Sequence, residues 1–514
     1  MDEALERSEG LVGSLAARLQ GRGSDPPEVI ETHISWVLLT RDRALKVKKP
    51  VRLPFADFGT LALRRALCEE EVRLNRRLAP DLYLGVVPIG GTHDAPVLGA
   101  EPAIEYAVEM RRFDSDQRLD RLLARRDVAP AELRRLAHRI GTFHGGLEPD
   151  VATRGSSAAV VGAALENFDE LRDLPGAGSA RLNELERWTR GECDRLADVF
   201  EARQRAGRVV EGHGDLHTEN VARIEGELVP FDALEFSEAL RWIDTMAEVG
   251  FLAMDLAVRG RRDLAYAFVD RYLETTGDHE GLRVLRFYVV YRAVVRAKVA
   301  AIGRVQRGEQ PLREDDAHLA FARRAIARPE PLLVVTHGLS GSGKTTVTNE
   351  LVGALPAVRA RSDVERKRLF GLAADERSGS GLDGGLYTRE ASAATYDRLE
   401  ECAAAALDGG VSVIVDATFL RRAERDRFTA LAASKGAGAV VLACTAPEEA
   451  LRERVAGREA EGRDASEATV EVLEHQLRSV ERVEAGGPER AVVVDTTRPL
   501  DVAALARELA QTWS

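Results

Sequence analysis

The sequence of 514 residues predicts two kinds of fold in tandem, an α+β part followed by an α/β domain with a mostly parallel sheet. Strand-like segments are concentrated early in the chain, and helical segments follow them. Further along, strands and helices alternate, which is typical of βαβ units. The two parts meet at Arg328-Pro329-Glu330-Pro331, where two prolines end a helix. We therefore predict one domain over residues 1–328 and a second over residues 329–514.

The first domain is expected to begin with a helix around residues 11–19, and a charged helix is expected over about Leu61–Leu78. The rest of the domain beyond its strands is mainly helical in pattern, so a small β-rich lobe should precede a helical lobe. The predicted strands are Ile34–Leu39, Ala44–Lys48, Leu84–Ile89 and Ile104–Met110.

The second domain has apolar strand-like runs separated by helical patterns, which predicts a parallel sheet with helices on both faces. A stretch rich in glycine and serine, Ser378–Gly385, predicts a flexible loop. The predicted strands are Leu332–Val335, Val411–Val415, Ala439–Ala443 and Ala491–Val494.

The composition narrows the class of protein. The formal net charge is -12, with both signs mixed along the chain, which argues against nucleic acid as a partner. No apolar stretch is long enough to span a bilayer, and the first residues lack the apolar core of a signal peptide, so we expect no membrane partner. The four cysteines are far apart and form no CxxC pair, which favours reduced thiols in the cytoplasm.

A glycine loop in the second domain predicts nucleotide binding. Gly338–Thr345 has the spacing GxxxxGKT and lies between a predicted strand and a predicted helix, the context that a phosphate-binding P-loop requires. Lys344 would reach the β- and γ-phosphates of ATP, and the Thr345 hydroxyl would bind Mg²⁺. The residues predicted to bind nucleotide here are Gly338, Ser340, Gly341, Ser342, Gly343, Lys344, Thr345 and Thr346.

A second motif lies in the first domain. In His213–Asn220, Asp215 and Asn220 are five positions apart, and Asp232 follows twelve residues later. A carboxylate that can take a hydroxyl proton, an amide oxygen and a second carboxylate for Mg²⁺ are the parts of a kinase catalytic loop. The intervening residues are expected to form a hairpin that holds Asn220 and Asp232 on one side of a cleft.

The sequence His-Gly-Asp-Leu-His-Thr-Glu-Asn followed by Asp232 resembles the aminoglycoside phosphotransferase family, a branch of the protein-kinase-like fold. The resemblance implies that Asp215 is the catalytic base and that Asn220 and Asp232 are metal ligands.

The same resemblance implies a lysine for the nucleotide phosphates and a glutamate that pairs with it, and we assign these roles to Lys46 and Glu71. Lys48 stays an alternative, because it lies on the same strand face as Lys46. Glu70 is the weaker alternative to Glu71. Two features differ from the family pattern: no glycine precedes Lys46, and Asp232 is followed by Ala-Leu-Glu-Phe.

Charged residues lie in Val358–Lys367, a segment that follows the first predicted helix after the P-loop and contains the next strand. Asp363 would lie at the carboxyl end of this strand, where ligands bind in open α/β sheets. It would take the proton of an acceptor hydroxyl as that hydroxyl attacks the γ-phosphate. Arg361 and Arg366 would bind an anionic group of the acceptor.

Two further features of this domain suit phosphate transfer. Asp416 ends an apolar strand, which is the Walker B position that supports Mg²⁺. Arg454 and Arg458 are four residues apart and share a helix face, so they could neutralise phosphate charge from a flap.

This set resembles the P-loop kinases of small substrates and of polynucleotide 5′-hydroxyl ends, and the zeta-toxin kinases. It resembles AAA-class motor ATPases less, although such chains often carry that label. The resemblance implies a second ATP- and Mg²⁺-dependent kinase domain.

We therefore expect two kinase-type domains that each transfer the γ-phosphate of ATP to a hydroxyl of a small molecule. One alternative is a nucleotide-regulated module with a degenerate first domain. Another is a kinase that processes 5′-hydroxyl ends of nucleic acid.

Overall fold

The chain divides into two compact units in the computed structural model. Unit 1 contains residues 1–132, 146–156 and 203–248, and unit 2 contains residues 133–145, 157–202 and 249–514. The domain boundary predicted after residue 328 and the predicted loop Ser378–Gly385 lie outside the described residues, and both stay predictions. The structure describes residues 2–20, 27–53, 56–174, 180–313, 316–327, 330–373, 376, 388–461, 469–483 and 490–513.

Unit 1 is built on an antiparallel sheet of six strands. The strands are β1 Glu28–Glu31, β2 Ser35–Leu39, β3 Arg43–Lys48, β6 Tyr83–Gly91, β7 Pro96–Leu98 and β8 Ala103–Arg111, and a separate short pair is β4 Arg52–Leu53 with β5 Ala56–Asp57. The order across the sheet is β1-β2-β3-β8-β6-β7. The β-rich lobe predicted from alternating apolar residues is therefore present.

Two helices, α1 Asp2–Leu19 and α2 Leu61–Asn75, cover this sheet. Leu45 and Val47 of β3 belong to the core that α1 contributes to, whereas Ala44 packs with α2. Because side chains alternate along a strand, the even-numbered residues of β3 all face α2. This alternation brings two lysines of β3 against α2.

The rest of unit 1 carries the motif around Asp215. Its elements are α3 Leu119–Ala124, β9 Val209–Glu211, β10 Val221–Ile224, β11 Glu227–Pro230, α7 Glu238–Arg241 and β12 Trp242–Asp244. Strands β10 and β11 form the predicted antiparallel hairpin, and Val221 pairs with Pro230. The hairpin therefore places Asn220 and Phe231 side by side, and the amide nitrogen of Phe231 donates to the carbonyl oxygen of Asn220 at 2.9 Å.

The part of unit 2 that precedes its sheet is helical, as predicted. The helices that lie here for all or most of their length are α4 Pro130–Gly145, α5 Ser157–Asp173, α6 Ala180–Arg205, α8 Thr245–Val258, α9 Arg262–Thr276, α10 Leu282–Gln306 and α11 Ala317–Ile326. Helices α5, α6, α8, α10 and α11 share a core in which Phe168, Phe251 and Val290 are almost fully buried.

The second part of unit 2 is a parallel sheet with helices. Its strands are β13 Leu332–His337, β14 Ala357–Arg361, β15 Ser412–Asp416, β16 Gly438–Thr445 and β17 Ala491–Asp495, and all four strand pairs are parallel. The order is β14-β15-β13-β16-β17. The helices are α12 Lys344–Ala354, α13 Ser362–Leu369, α14 Arg389–Asp408, α15 Arg422–Ser434, α16 Glu448–Glu461, α17 Val470–Ser479 and α18 Val502–Trp513.

The central strand β13 is buried along its whole length, as expected for a parallel sheet with both faces covered. The predicted α/β fold is confirmed for this part of the chain.

Several elements differ from the sequence prediction, among them the short strands β4, β5, β7, β9 and β12, which were not predicted. The first helix begins at Asp2 rather than near residue 11, and α2 ends at Asn75 rather than Leu78. Strand β1 was not predicted; its four residues are exposed and two of them are glutamates, so it lacks the apolar alternation of a half-buried strand. Among the described helices, none has both the length and the apolar character needed to cross a bilayer.

Candidate functional site

The first candidate site lies in unit 1, where β3 faces α2. Glu71 of α2 is fully buried and accepts from both candidate lysines: its Oε1 is 2.9 Å from Lys46 Nζ, and its Oε2 is 2.6 Å from Lys48 Nζ. The glutamate chosen from the sequence therefore meets both lysines. Its weaker alternative, Glu70, accepts instead from Arg241 at 2.6 Å.

Two carboxylates that follow β11 reach the same lysines. Lys46 Nζ lies 2.6 Å from Asp232 Oδ1, and Lys48 Nζ contacts Glu235 Oε1. Glu235 was not singled out from the sequence; its only signal was the unusual Ala-Leu-Glu-Phe after Asp232. Two ion pairs therefore join strand β3 to the loop after β11.

Lys46 and Glu71 stay ionised because they lie next to opposite charges. Burial alone would lower the pKa of Lys46, but Asp232, Glu71 and Glu235 outweigh burial and raise the pKa well above its ordinary value. Burial alone would raise the pKa of Glu71, but the two lysines lower it to about 2. At neutral pH Lys46 and Glu71 are therefore both charged.

The loop before β10 brings Asp215 and Asn220 together. Asn220 Nδ2 donates to both the carbonyl oxygen and Oδ2 of Asp215 at 3.0 Å, and His217 Nε2 lies 3.3 Å from the same Oδ2. The Asp215 side chain keeps 38% of its surface exposed. A carboxylate that is oriented by neighbours and still open to solvent suits a proton acceptor.

Asp232 is held in an uncommon backbone conformation, with φ 61°. Its amide nitrogen donates to Tyr83 Oη at 3.0 Å, and the amide nitrogen of Ala233 donates to Asn75 Oδ1 at 2.8 Å. Asn75 Nδ2 in turn donates to the carbonyl oxygen of Glu71 at 2.8 Å. Contacts from β6 and α2 therefore fix the direction of the Asp232 carboxylate.

Asn220 and Asp232 fit a divalent cation by their chemistry. They offer amide and carboxylate oxygens, which are the ligands that Mg²⁺ prefers. The hairpin β10-β11 lies between Asn220 and Asp232 in the sequence and brings its two ends together. The Asp232 side chain is 40% exposed.

The second candidate site lies in unit 2, at the carboxyl ends of the parallel strands. A cleft of about 1620 Å³ opens there, which is larger than a typical site for one small ligand. Gly338 and Ser342 are buried behind the loop rather than in the cleft wall. The predicted residues that line the cleft are Ser340, Gly341, Gly343, Lys344, Thr345, Thr346, Arg361, Asp363, Arg366, Asp416 and Arg454.

The glycine loop has the backbone that its spacing predicts. Gly341 and Gly343 have φ 83° and 80°, values that favour glycine. A Cβ on Gly341 would lie 2.7 Å from the carbonyl oxygen of Leu451, so no larger residue fits there. Lys344 Nζ donates to the carbonyl oxygens of Gly338 and Leu339 at 2.9 Å. The loop thus folds around its own lysine at the start of α12.

The carboxylate of Asp416 is anchored beside this loop. Asp416 Oδ2 accepts from Thr348 Oγ1 at 3.1 Å, and Thr348 lies one helical turn after Thr345. Thr348 was not singled out from the sequence. Hydroxyl and carboxylate oxygens from Thr345 and Asp416 fit Mg²⁺ in this cleft by the same ligand preference.

Two arginines of β14 are held by carboxylates of α9. Arg359 and Asp270 form a buried bidentate ion pair with a shortest distance of 2.8 Å between Nη2 and Oδ2. Arg361 Nη1 donates to Glu274 Oε1 at 3.0 Å, and its Nε lies 4.0 Å from Asp416 Oδ2. Arg361 is therefore fixed at the cleft wall between two carboxylates.

Asp363 and Arg366 lie on α13 beside this strand. Arg366 Nη1 donates to Ser392 Oγ at 3.3 Å. The Asp363 carboxylate is half-buried, and no residue in the described part of the chain hydrogen-bonds to it. An open carboxylate beside a phosphate loop is available to an acceptor hydroxyl.

The predicted flap is partly described. Arg454 Nη1 donates to the carbonyl oxygen of Gly341 at 3.2 Å and to Thr496 Oγ1 at 2.9 Å, so its guanidinium braces the glycine loop. The side chain of Arg458 lies outside the described residues, and its role stays a prediction. Gln476 of α17, which was not predicted, accepts from the amide nitrogen of Ser340 at 2.8 Å.

Known proteins resemble this chain in sequence and in structure. The family model described as an AAA domain matches residues 333–483. A choline/ethanolamine kinase family protein from Mesorhizobium loti is 14% identical and covers 62% of this chain and 96% of its own, with a TM-score of 0.40. A sugar kinase from Janibacter sp. HTCC2649 is 27% identical and covers 36% of this chain and 94% of its own, with a TM-score of 0.27.

A full-length relative is known from Mycobacterium tuberculosis (strain ATCC 25618 / H37Rv), where it is called uncharacterized protein Rv2004c. It is 32% identical over 481 residues, which cover 90% of this chain and 94% of the relative. The matched family model covers the parallel-sheet part of this chain from β13 to α17. By the extent of its match to the full-length relative, the chain belongs to the same family as Rv2004c.

Proposed function

We propose that this protein is an ATP- and Mg²⁺-dependent phosphotransferase with two kinase-type sites, and that each site phosphorylates a hydroxyl of a small molecule. One observation carries the proposal. Each unit gathers a lysine, oxygen atoms of the kind that bind a divalent cation, and a separate, partly exposed carboxylate. These are the parts that phosphoryl transfer requires.

In the P-loop cleft, Lys344 and the amide groups of the glycine loop would bind the β- and γ-phosphates of ATP. Thr345 and Asp416 would hold Mg²⁺, which when bound neutralises phosphate charge. Asp363 would take the proton of the acceptor hydroxyl. The acceptor oxygen then forms a bond to the γ-phosphorus while the bond from that phosphorus to the bridging oxygen of ADP breaks.

In unit 1 the same roles fall to other residues. Lys46 would bind the nucleotide phosphates, with Glu71 holding its ammonium in place. Asn220 and Asp232 would hold Mg²⁺, and Asp215 would accept the proton of the hydroxyl that is phosphorylated.

A small polar acceptor is our choice for the P-loop cleft rather than nucleic acid. Four carboxylates, those of Asp363, Glu390, Asp416 and Glu424, lie among seven cationic side chains in its lining. A molecule with several hydroxyls can use both signs of charge, and the formal net charge of -12 disfavours a polyanionic partner. We place the reaction in the cytoplasm, on the basis of four cysteines that are all free and buried.

Counting nucleotide sites tests the proposal. Calorimetry with the β,γ-imido analogue of ATP and Mg²⁺ should show two sites in the full chain and one in Lys344→Ala, because that change removes a phosphate contact of the P-loop. Lys435→Ala is the control, since Lys435 pairs with Asp408 at the surface. Two sites in Lys344→Ala would contradict the assignment of the P-loop. A single site in the unmodified chain would favour a regulatory first domain without nucleotide.

Asp232→Ala should weaken binding at the remaining site when it is combined with Lys344→Ala. The reason is that the change removes a carboxylate ligand of Mg²⁺. We expect the analogue to bind about equally with Mg²⁺ and with EDTA. Asp42→Ala is the control, since that side chain of unit 1 is 78% exposed. An undiminished effect of Mg²⁺ would exclude Asp232 as a ligand.

A further inference from the structure

Five charged side chains of unit 1 form one continuous chain, in the order Asp232, Lys46, Glu71, Lys48 and Glu235. We call it the lysine–carboxylate chain. Both lysines come from β3, and both terminal carboxylates come from the loop after β11. The strand and the loop are therefore tied twice, once by an outer pair and once by an inner pair.

The two pairs differ in their access to solvent. The side chains of Lys48 and Glu235 are 0% and 3% exposed, whereas Asp232 in the outer pair is 40% exposed. Phe58 lies against the inner pair, with its ring centre 5.7 Å from Lys48 Nζ, and Phe58 itself packs edge-to-face with Phe236. The outer pair is therefore open to a ligand from solvent, whereas the inner pair is closed to solvent and has Phe58 against it.

The outer pair cannot persist unchanged when ATP and Mg²⁺ occupy the site. Lys46 would then contact phosphate oxygens, and Asp232 would contact the cation, so their mutual contact at 2.6 Å has to open. The inner pair faces neither ligand. It is the tie that can keep the loop against β3 while the outer groups exchange partners.

We infer that Lys48 and Glu235 are positioning residues, which hold the loop so that the Asp232 carboxylate is presented to Mg²⁺, and that Lys46 alone is the nucleotide lysine. This inference rests on the proposed function of unit 1. It gives separate roles to the two lysines that the sequence could not tell apart. It also gives a purpose to the glutamate by which the loop departs from the aminoglycoside phosphotransferase pattern.

The test uses the full chain with Lys344→Ala, so that only unit 1 binds nucleotide. Affinity for the β,γ-imido analogue of ATP is measured by calorimetry with Mg²⁺ and with EDTA, before and after Glu235→Gln. Loss of a residue that orients a metal ligand typically costs about 10–100-fold in metal affinity, so the gain in affinity from Mg²⁺ should fall by about that factor. Binding in EDTA, which depends on Lys46 and Glu71, should change little.

Glu105→Gln is the matched control. Glu105 forms a buried ion pair with Arg64 in the same unit, at 2.7 Å, but it does not touch the loop after β11. It should leave the effect of Mg²⁺ unchanged. The double variant Lys48→Met with Glu235→Met removes the inner tie without leaving a lone buried charge, a change that proteins often tolerate. It should reproduce the loss expected for Glu235→Gln, and it replaces that variant in the test if Glu235→Gln does not fold.

The outcomes separate the two claims. If Lys344→Ala shows no Mg²⁺-dependent site, the proposed function of unit 1 fails and this inference fails with it. If that site is present and a folded Glu235 variant keeps the full effect of Mg²⁺, only the inference is overturned. An equal loss of affinity with Mg²⁺ and with EDTA also overturns it, because that result indicates a general structural role.

Discussion

Replacing Asp363 by Asn should lower phosphate transfer in the P-loop cleft by about 10²–10⁴-fold and leave ATP binding unchanged, because this is the usual contribution of a positioned general base. Asparagine has almost the same size but cannot take the acceptor proton. The Asp363 carboxylate lines the cleft and has no hydrogen-bond partner within the described ranges, so the change should not disturb the fold. Asp215→Ala, introduced in the same chain, silences transfer in unit 1.

The measurement is ADP release with candidate acceptors, which should include sugars, sugar acids, nucleosides and a 5′-hydroxyl oligonucleotide. Glu390→Gln is the matched control, since this carboxylate also lines the cleft but lies on α14. Normal turnover in Asp363→Asn would assign Asp363 a structural role only. If the oligonucleotide were the best acceptor, our preference for a small molecule would be wrong.

Asp270→Asn should destabilise unit 2 by about 3–5 kcal/mol, because it removes the main counter-charge of the buried Arg359 guanidinium and leaves only Glu274, whose Oε2 lies 3.5 Å from Nη2. The side chains of Asp270 and Arg359 are only 1% and 5% exposed, so water cannot replace the lost partner. In the unmodified chain Asp270 and Glu274 outweigh the effect of burial and raise the pKa of Arg359, so the pair is charged at neutral pH. Urea unfolding followed by circular dichroism measures the change.

Two further variants make this test specific. Glu280→Gln breaks an exposed ion pair with Arg283 and should cost less than about 1 kcal/mol. Asp270→Leu combined with Arg359→Met removes both charges and should recover much of the lost stability. If Asp270→Asn unfolds at the same urea concentration as the unmodified chain, the ion pair does not stabilise the protein.

Features that depend on neighbouring residues were predictable from the sequence. The glycine loop was predicted from glycines at fixed spacing between a strand and a helix. Gly341 and Gly343 have a left-handed backbone, which is the conformation that favours glycine. The strand order could not be predicted, but the strands and their parallel direction could, because β13 and β15 contain the continuous apolar runs 332–335 and 413–415.

Features that depend on distant residues were not predictable. Lys48 and Glu235 are 187 residues apart, and nothing near Glu235 in the sequence shows that it is buried. Arg359 and Asp270 are 89 residues apart, and Asp270 looks like an ordinary helical surface residue until α9 packs on β14. The catalytic, metal-binding and acceptor roles of the predicted residues stay predictions.

The ion pair between Arg359 and Asp270 also constrains which substitutions this family can accept at the two positions. A single substitution at either position leaves one buried charge without its main partner, whereas a joint exchange for two apolar residues does not. We therefore expect the two positions to change together or not at all among relatives. The same constraint applies to a P-loop domain from an unrelated kinase that is grafted after residue 329. Such a domain would leave the acidic face of α9 without its ion pair unless it carried an arginine on the strand equivalent to β14.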